Sequence, residues 1–256
     1  MHVRQKRKAG VSELIGPGAK EITLSRLIFD PDDRETISLS AREGILVLLD
    51  GEVTFESAGS SWSASRTSPF DQRASALYLP PGGGAMVIAE KAAEVVLVTA
   101  AAEGSGDPLF VAPEDVKVAT RGRDGFERQV HDILVHDDHA KRLLLGETIN
   151  PPGKWSSFPP HKHDGEDGEP YLEEVYYYRT NPPQGFGYQA LYSADGNLDL
   201  AYTVRDGDAV LISRGYHPVA AAPGYELYYL WALAGAERKL ALHEDPEHSW
   251  LQDAPA

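Results

Sequence analysis

The sequence predicts an all-β protein, and three observations carry that reading. No stretch sustains a helical period, many short runs are β-branched or aromatic, and Gly, Pro, Asp and Asn clusters separate them. Short strands at this cadence build a sandwich or a barrel, with helix a minor component. In chain order, residues 43–55 read as a buried strand, an Asp50-Gly51 turn and a second strand. Ala76-Leu77-Tyr78-Leu79 is a strand that stops at Pro80-Pro81-Gly82-Gly83-Gly84, and residues 94–100 form another β-branched run. Residues 101–108, small and polar, read as a linker. Beyond it, Tyr171-Leu172-Glu173-Glu174-Val175-Tyr176-Tyr177-Tyr178 and Ala209-Val210-Leu211-Ile212-Ser213 are strands.

A chain of 256 residues with 42% hydrophobic content has ample material for a buried core. No apolar run approaches the roughly 20 residues that a membrane-spanning helix needs. The leading segment is basic and no apolar stretch follows it, so no secretory signal is expected and the cytoplasm is the expected compartment. With zero cysteines, disulfides, thiolate zinc sites and cysteine nucleophiles are excluded, and any metal must rest on nitrogen and oxygen donors. A net charge of −15 disfavours nucleic acid, and a small anionic substrate would need a local cation.

The residues that carry chemistry lie in the second half. Side chains two apart on a strand share a face, so His161 and His163 grip one cation while Lys162 points away and outward. The stretch Asp164-Gly165-Glu166-Asp167-Gly168-Glu169-Pro170 is rich in turn formers, and the strand that returns places Glu174 beside the histidine pair. Its neighbour Glu173 faces the other way. His217 follows the run 209–213 at a glycine-containing bend. A His-x-His pair alone is commonly packing, but a correctly placed carboxylate and a third imidazole make a candidate metal site of His161, His163, Glu174 and His217. No partner pattern attaches to His131, His136, His139, His243 or His248, whose expected roles are structural or at the surface.

The two halves are similar by position. Residues 76–84 can be laid on residues 209–217, both being strand, bend and glycine, which puts Gly84 in the place of His217. The first half offers Thr36-Ile37-Ser38-Leu39-Ser40 where the second has its histidine pair. It keeps the scaffold and lacks the ligands.

The histidine pair, the glutamate and the later histidine resemble the two short motifs of the cupin superfamily, and the duplication resembles a bicupin. A closer resemblance is to the 5-deoxy-glucuronate isomerase family of inositol catabolism. It is carried by Pro151-Pro152-Gly153-Lys154-Trp155-Ser156-Ser157-Phe158-Pro159-Pro160-His161-Lys162-His163-Asp164, by residues 171–178, by Gly215-Tyr216-His217-Pro218-Val219 and by residues 223–230. These and shorter motifs, among them Arg121-Gly122 and Gly146-Glu147-Thr148, fill most of residues 121–235; the first hundred residues match mainly in architecture. The resemblance implies two jelly-roll (double-stranded β-helix) barrels: a degenerate one without metal ligands, with linker, over 1–120, and a metal-binding one over 121–256. It implies the same four ligands and conversion of 5-deoxy-D-glucuronate to 5-dehydro-2-deoxy-D-gluconate. Trp231 departs from the family's pattern, which has Asn there, and this bears on specificity if the position touches substrate.

Such a reaction moves a carbonyl between adjacent carbons through an enediolate, which a divalent ion stabilises directly. Three imidazoles and one carboxylate suit zinc or manganese first, with iron, cobalt and nickel also accepted. Glu174, Tyr176 and Tyr178 share one strand face and are the catalytic candidates. Lys154, Arg179, Gln189 and Tyr192 are the substrate-binding candidates, with Arg179 or Lys154 as the carboxylate clamp. Trp155, Phe158, Phe186 and Trp231 are candidate pocket aromatics, although core packing is the ordinary role of such residues. The competing functions are isomerisation of 4-deoxy-5-keto-uronates from pectin breakdown, an iron-dependent dioxygenase, and a non-catalytic sugar-acid-binding bicupin. The long acidic stretch 164–173 favours the first-named isomerase, and an exposed strand edge would invite a homo-oligomer.

Overall fold

A computed structural model of the chain describes residues 1–16 and 18–253, with the backbone alone at 252 and 253. It is almost wholly strand; among the described residues the only α-helix is the single turn Trp250–Asp253. No helix is long and apolar enough to cross a membrane. The chain divides into two compact units, one of residues 6–117 and 132–145, the other of residues 1–5, 118–131 and 146–256. The sequence draws a single line at 120/121; in the structure residues 1–5 and 118–120 group with the later part of the chain and residues 132–145 with the earlier part.

In the first unit Arg42–Ser57 is the organising strand. Its first half pairs with Ala76–Leu79 and Ala93–Ala101, and its second half with Ser60–Arg66 and Gly84–Ala89, all antiparallel. The turn expected at Asp50-Gly51 is absent. The strand continues through a register shift between Leu48 and Asp50, with Gly51 at φ 102°. A Cβ on Gly51 would lie 2.3 Å from the Ala92 carbonyl oxygen, so the glycine here serves a bulge that redirects the strand between partners. A local Asp-Gly pair reads the same in either case. Alternate residues of these strands, including Leu46, Leu48, Val53, Phe55, Leu77 and Val87, form one apolar core. Ile37 and Leu39, of the stretch 36–40, belong to that core.

The sheet that carries most of the second unit's strands is ordered His2–Val3, Ala209–Ile212, Glu173–Asn181, Glu226–Ala234, Leu143–Asn150, Arg128–Leu134, Lys117–Arg121. A second sheet runs Trp155–Ser156, Val219–Ala221, Gly187–Tyr192, Asp199–Val204, and His161–Lys162 pairs with His243–Glu244. The register sets Glu174 opposite Leu233, Tyr176 opposite Trp231 and Tyr178 opposite Tyr229, so these six side chains share one face. The edge strand His2–Val3 is fastened by Arg4, whose Nε and Nη2 donate to the buried Asp208 carboxylate at 2.9 and 2.7 Å.

Candidate active site

Three local devices aim the polar side chains. Glu174 sits early in a strand paired on both sides, against Ile212 and Leu233, which fixes its direction. His163 is held by its own loop: its Nδ1 lies 2.6 Å from the Leu172 carbonyl oxygen, and the Leu172 amide returns a bond to the His163 carbonyl at 2.9 Å. His217 follows the bend at Gly215, where φ is 87° and a Cβ would lie 2.5 Å from the Tyr192 carbonyl oxygen. Its Nδ1 is 3.0 Å from the Gly215 carbonyl oxygen, and Gln189 Nε2 donates to the His217 carbonyl at 3.1 Å.

Because both Nδ1 atoms face carbonyl oxygens they carry hydrogen, and each Nε2 therefore presents a lone pair in the neutral ring. Those two Nε2 atoms lie 3.0 and 3.2 Å from the same Glu174 oxygen. His217 Nε2 has no well-directed hydrogen bond although it is buried. Three acceptors thus converge in a buried space, all within 4.8 Å of one another, an arrangement that calls for a positive charge among them. The titration directions agree. Burial pushes the Glu174 carboxyl up, but the imidazoles of His163 and His217 outweigh it and bring it down to about 2. Burial lowers His163, yet the hydrogen bond and charge of Glu174 leave it raised above 6.5. His161 stands outside the 4.8 Å group, with its ring edge-on to His217 at 4.7 Å between centroids; burial, then His217 and His163, holds it well below 6.5. The donor set of three imidazoles and one carboxylate fits a divalent transition ion.

His161, His163, Glu174 and Tyr176 line one cavity. The Tyr176 hydroxyl is 2.9 Å from Ser157 Oγ, and burial pushes its pKa well up. Tyr178 is not among the lining residues: its hydroxyl donates to Gln189 Oε1, so tyrosine and glutamine form a buttress behind His217. Lys154, Arg179 and Tyr192 also lie outside the lining, each with another partner. Lys154 Nζ is 3.8 Å from Glu127, Arg179 Nε donates to Asp206 at 2.8 Å, and the Tyr192 hydroxyl donates to Asp245 at 2.7 Å. The cations that do line the cavity are Arg121 and Arg128, with Thr148 and Ser157 as further polar groups. Of the four candidate aromatics only Trp231 reaches it, beside Val130, Leu233, Leu240 and Leu242. Trp155 is 40% exposed, Phe158 packs at 5.7 Å from it, and Phe186 packs on Tyr188. Sequence reasoning missed Arg128 because its signal, an Arg-x-Val alternation at 128–130, is common to any half-buried strand.

Lys162 corrects an expectation. It does alternate away from the histidines, but its side chain is buried: Nζ lies 2.5 Å from Asp164, 2.7 Å from Glu169 and 2.9 Å from Asp167. The acidic turn folds back over it, and Asp164 Oδ2 also accepts from the Gly215 amide at 3.1 Å. Of the remaining histidines, His131 is buried 3.5 Å from Glu147 and His136 lies 3.1 Å from Asp132; neither lines the cavity.

Known proteins resemble this chain over nearly all of its length. The model of the KduI/IolB family matches residues 4–251. The 5-deoxy-glucuronate isomerase of Geobacillus kaustophilus is 38% identical over 218 residues, 83% of this chain and 79% of that protein. Its namesake from Bacillus subtilis strain 168 is 35% identical over 85% of this chain and 80% of its own. Among solved structures, an IolB-like protein from Salmonella typhimurium LT2 superposes with a TM-score of 0.94 at 35% identity, covering 98% of both chains. The oxalate decarboxylase of Lactobacillus farciminis superposes at 0.68 with 11% identity, over 99% of this chain and 88% of its own. At such identity the likeness concerns the fold alone, which is all-β with the two jelly-roll barrels of a bicupin. A family match running nearly from end to end, with relatives above one-third identity over most of the chain, leaves one assignment: the chain belongs to the KduI/IolB family.

Proposed function

We propose that the protein is a metal-dependent 5-deoxy-glucuronate isomerase, acting in the cytoplasm in myo-inositol catabolism and producing 5-dehydro-2-deoxy-D-gluconate. The observation that carries the proposal is the buried convergence of His163, Glu174 and His217, with His161 alongside, in a chain whose similar relatives bear that name. His161, His163, Glu174 and His217 would hold the ion, with zinc or manganese favoured and iron, cobalt or nickel accepted by the same donors. When bound, it supplies positive charge that stabilises the anion formed as the proton leaves carbon 2 of the aldose.

The chain's own groups do the rest. Burial keeps the Tyr176 phenol protonated at neutral pH, so it serves as a hydrogen-bond donor to a substrate oxygen, oriented by Ser157. The Glu174 carboxylate stays ionised, which suits it to hold the cation and to face the migrating proton. Tyr178 acts at one remove, holding Gln189 and through it the His217 backbone. Leu233 and Trp231, opposite Glu174 and Tyr176 in the sheet, give the cavity an apolar wall that limits water.

The test is turnover of 5-deoxy-glucuronate by metal-loaded protein, followed by ketose formation, with 4-deoxy-5-keto-uronate offered in parallel and oxygen uptake recorded with Fe(II). Turnover of the first substrate alone supports the proposal. Preference for the second substrate, or iron-dependent oxygen uptake, overturns it.

A further inference from the structure

We propose that Arg128 is the residue that recognises the substrate's carboxylate. The proposal rests on the function assigned above and names the group that sets its specificity for an acid. In a chain with a net charge of −15, an anion is drawn to the site only where a cation is placed for it. The cavity that holds His161, His163 and Glu174 is lined by two arginines, Arg121 and Arg128.

Arg128 has the better geometry for the task. It opens the strand Arg128–Leu134, and Val130, two residues on, lines the same cavity, so the strand's alternation aims both inward. The side chain is half-buried, and its protein hydrogen bonds are two long ones from Nη1, to the carbonyl oxygens of Phe126 at 3.2 Å and Phe158 at 3.3 Å. Those bonds fix the plane of the guanidinium and leave the edge formed by Nε and Nη2 without a partner among the described residues. No carboxylate among the described residues pairs with Arg128. This edge has the two parallel donors that a carboxylate accepts bidentately. Burial is the main influence lowering the Arg128 pKa, and the charge of Arg121 acts in the same direction; a bound carboxylate relieves both. Arg179, by contrast, is already engaged by Asp206. A 5-deoxy-glucuronate has its aldehyde at carbon 1 and its carboxylate at carbon 6, so one end meets the His and Glu cluster and the other meets Arg128.

The experiment compares metal-loaded wild type, Arg128→Gln and Arg128→Lys on 5-deoxy-glucuronate and on 5-deoxy-glucose, the neutral analogue with a hydroxymethyl in place of the carboxylate. Arg128→Gln is expected to raise KM for the acid roughly 10- to 100-fold, as loss of a charged hydrogen-bond pair does, with a smaller change in kcat and none in KM for the neutral sugar. Arg128→Lys keeps the charge without the fork and is expected to fall between; it also serves if the glutamine variant fails to fold. An equal rise on both sugars, or no rise for the acid, overturns the proposal. A second readout is calorimetric binding of the unreactive acid made by reducing the aldehyde of 5-deoxy-glucuronate to an alcohol. Should wild type show no turnover at all, the assigned reaction fails, and this titration still decides. Binding by wild type that is lost in Arg128→Gln supports the carboxylate site, whereas equal binding by both, or by neither, refutes it.

Discussion

His163 and Glu174 are each shifted toward the charged form by the other, which makes their behaviour with and without a cation opposite in sign. The Glu174 carboxyl is depressed from 4.5 to about 2, so its stabilisation is present above about pH 4.5 and is lost as pH falls toward 2. The His163 imidazole is raised above 6.5, so its share is complete below 6.5 and fades as pH climbs through the raised value. For this pair the metal-free protein is therefore expected to be most stable between pH 4.5 and 6.5, which a series of thermal melts in chelator will show. With metal the dependence reverses on the acid side, because a protonated imidazole cannot ligate; metal content after dialysis should fall as pH drops below the ordinary histidine range. His163→Ala is expected to remove most bound metal and to lower activity by more than about 100-fold, beyond what loss of a supporting hydrogen bond costs, while far-ultraviolet dichroism stays unchanged. Full metal occupancy in that variant would contradict the ligand assignment.

At the scale of elements, the buried Lys162 ties the acidic turn to the histidine strand, and Asp164 carries the tie on to Gly215, two residues before His217. Lys162→Met leaves the buried carboxylates of Asp164 and Glu169 without their cation and is expected to cost about 3–5 kcal/mol, read by urea denaturation. Gly146 is constrained from another direction: a Cβ there would lie 2.3 Å from Trp231 and 2.4 Å from the His131 carbonyl oxygen. Gly146→Ala should destabilise by about 1–3 kcal/mol and shift tryptophan fluorescence as Trp231 moves. These elements also show what the sequence makes legible. The period of two at His161 and His163, the turn formers after them and the strand carrying Glu174 are local patterns; in the structure His163, Glu174 and His217 come within 4.8 Å of one another, and His161 stands outside that group. Arg128 reaches the cavity from a strand more than thirty residues before the histidine pair, and its own residues carry no pattern that points there. Gly51 shows the limit within one element, since an Asp-Gly pair opens a hairpin or serves a bulge according to which partners lie alongside.

For the whole molecule, chemistry and packing are divided between the two units. The first fills its interior with Ile37, Leu39, Phe55 and their neighbours, and among the described residues no cluster of three histidines or carboxylates is found in it. Zinc or manganese at about 100 times its dissociation constant is therefore expected to stabilise the second unit alone by about 2.7 kcal/mol. Scanning calorimetry with and without chelator should move the transition of that unit and leave the other in place.

Arg4 and Asp208 stand 204 residues apart in the chain, yet together they fasten the strand beside the one that leads to His217. In a growing chain Arg4 is made 204 residues before the carboxylate it pairs with. The earlier-made unit has its strands Arg42–Ser57 and Ala93–Ala101 in hand long before then. The unit bearing the imidazoles can seal its outer edge only once Asp208 has been made, so a chain cut short before that residue would carry the first unit's strands and leave the second unit's edge open.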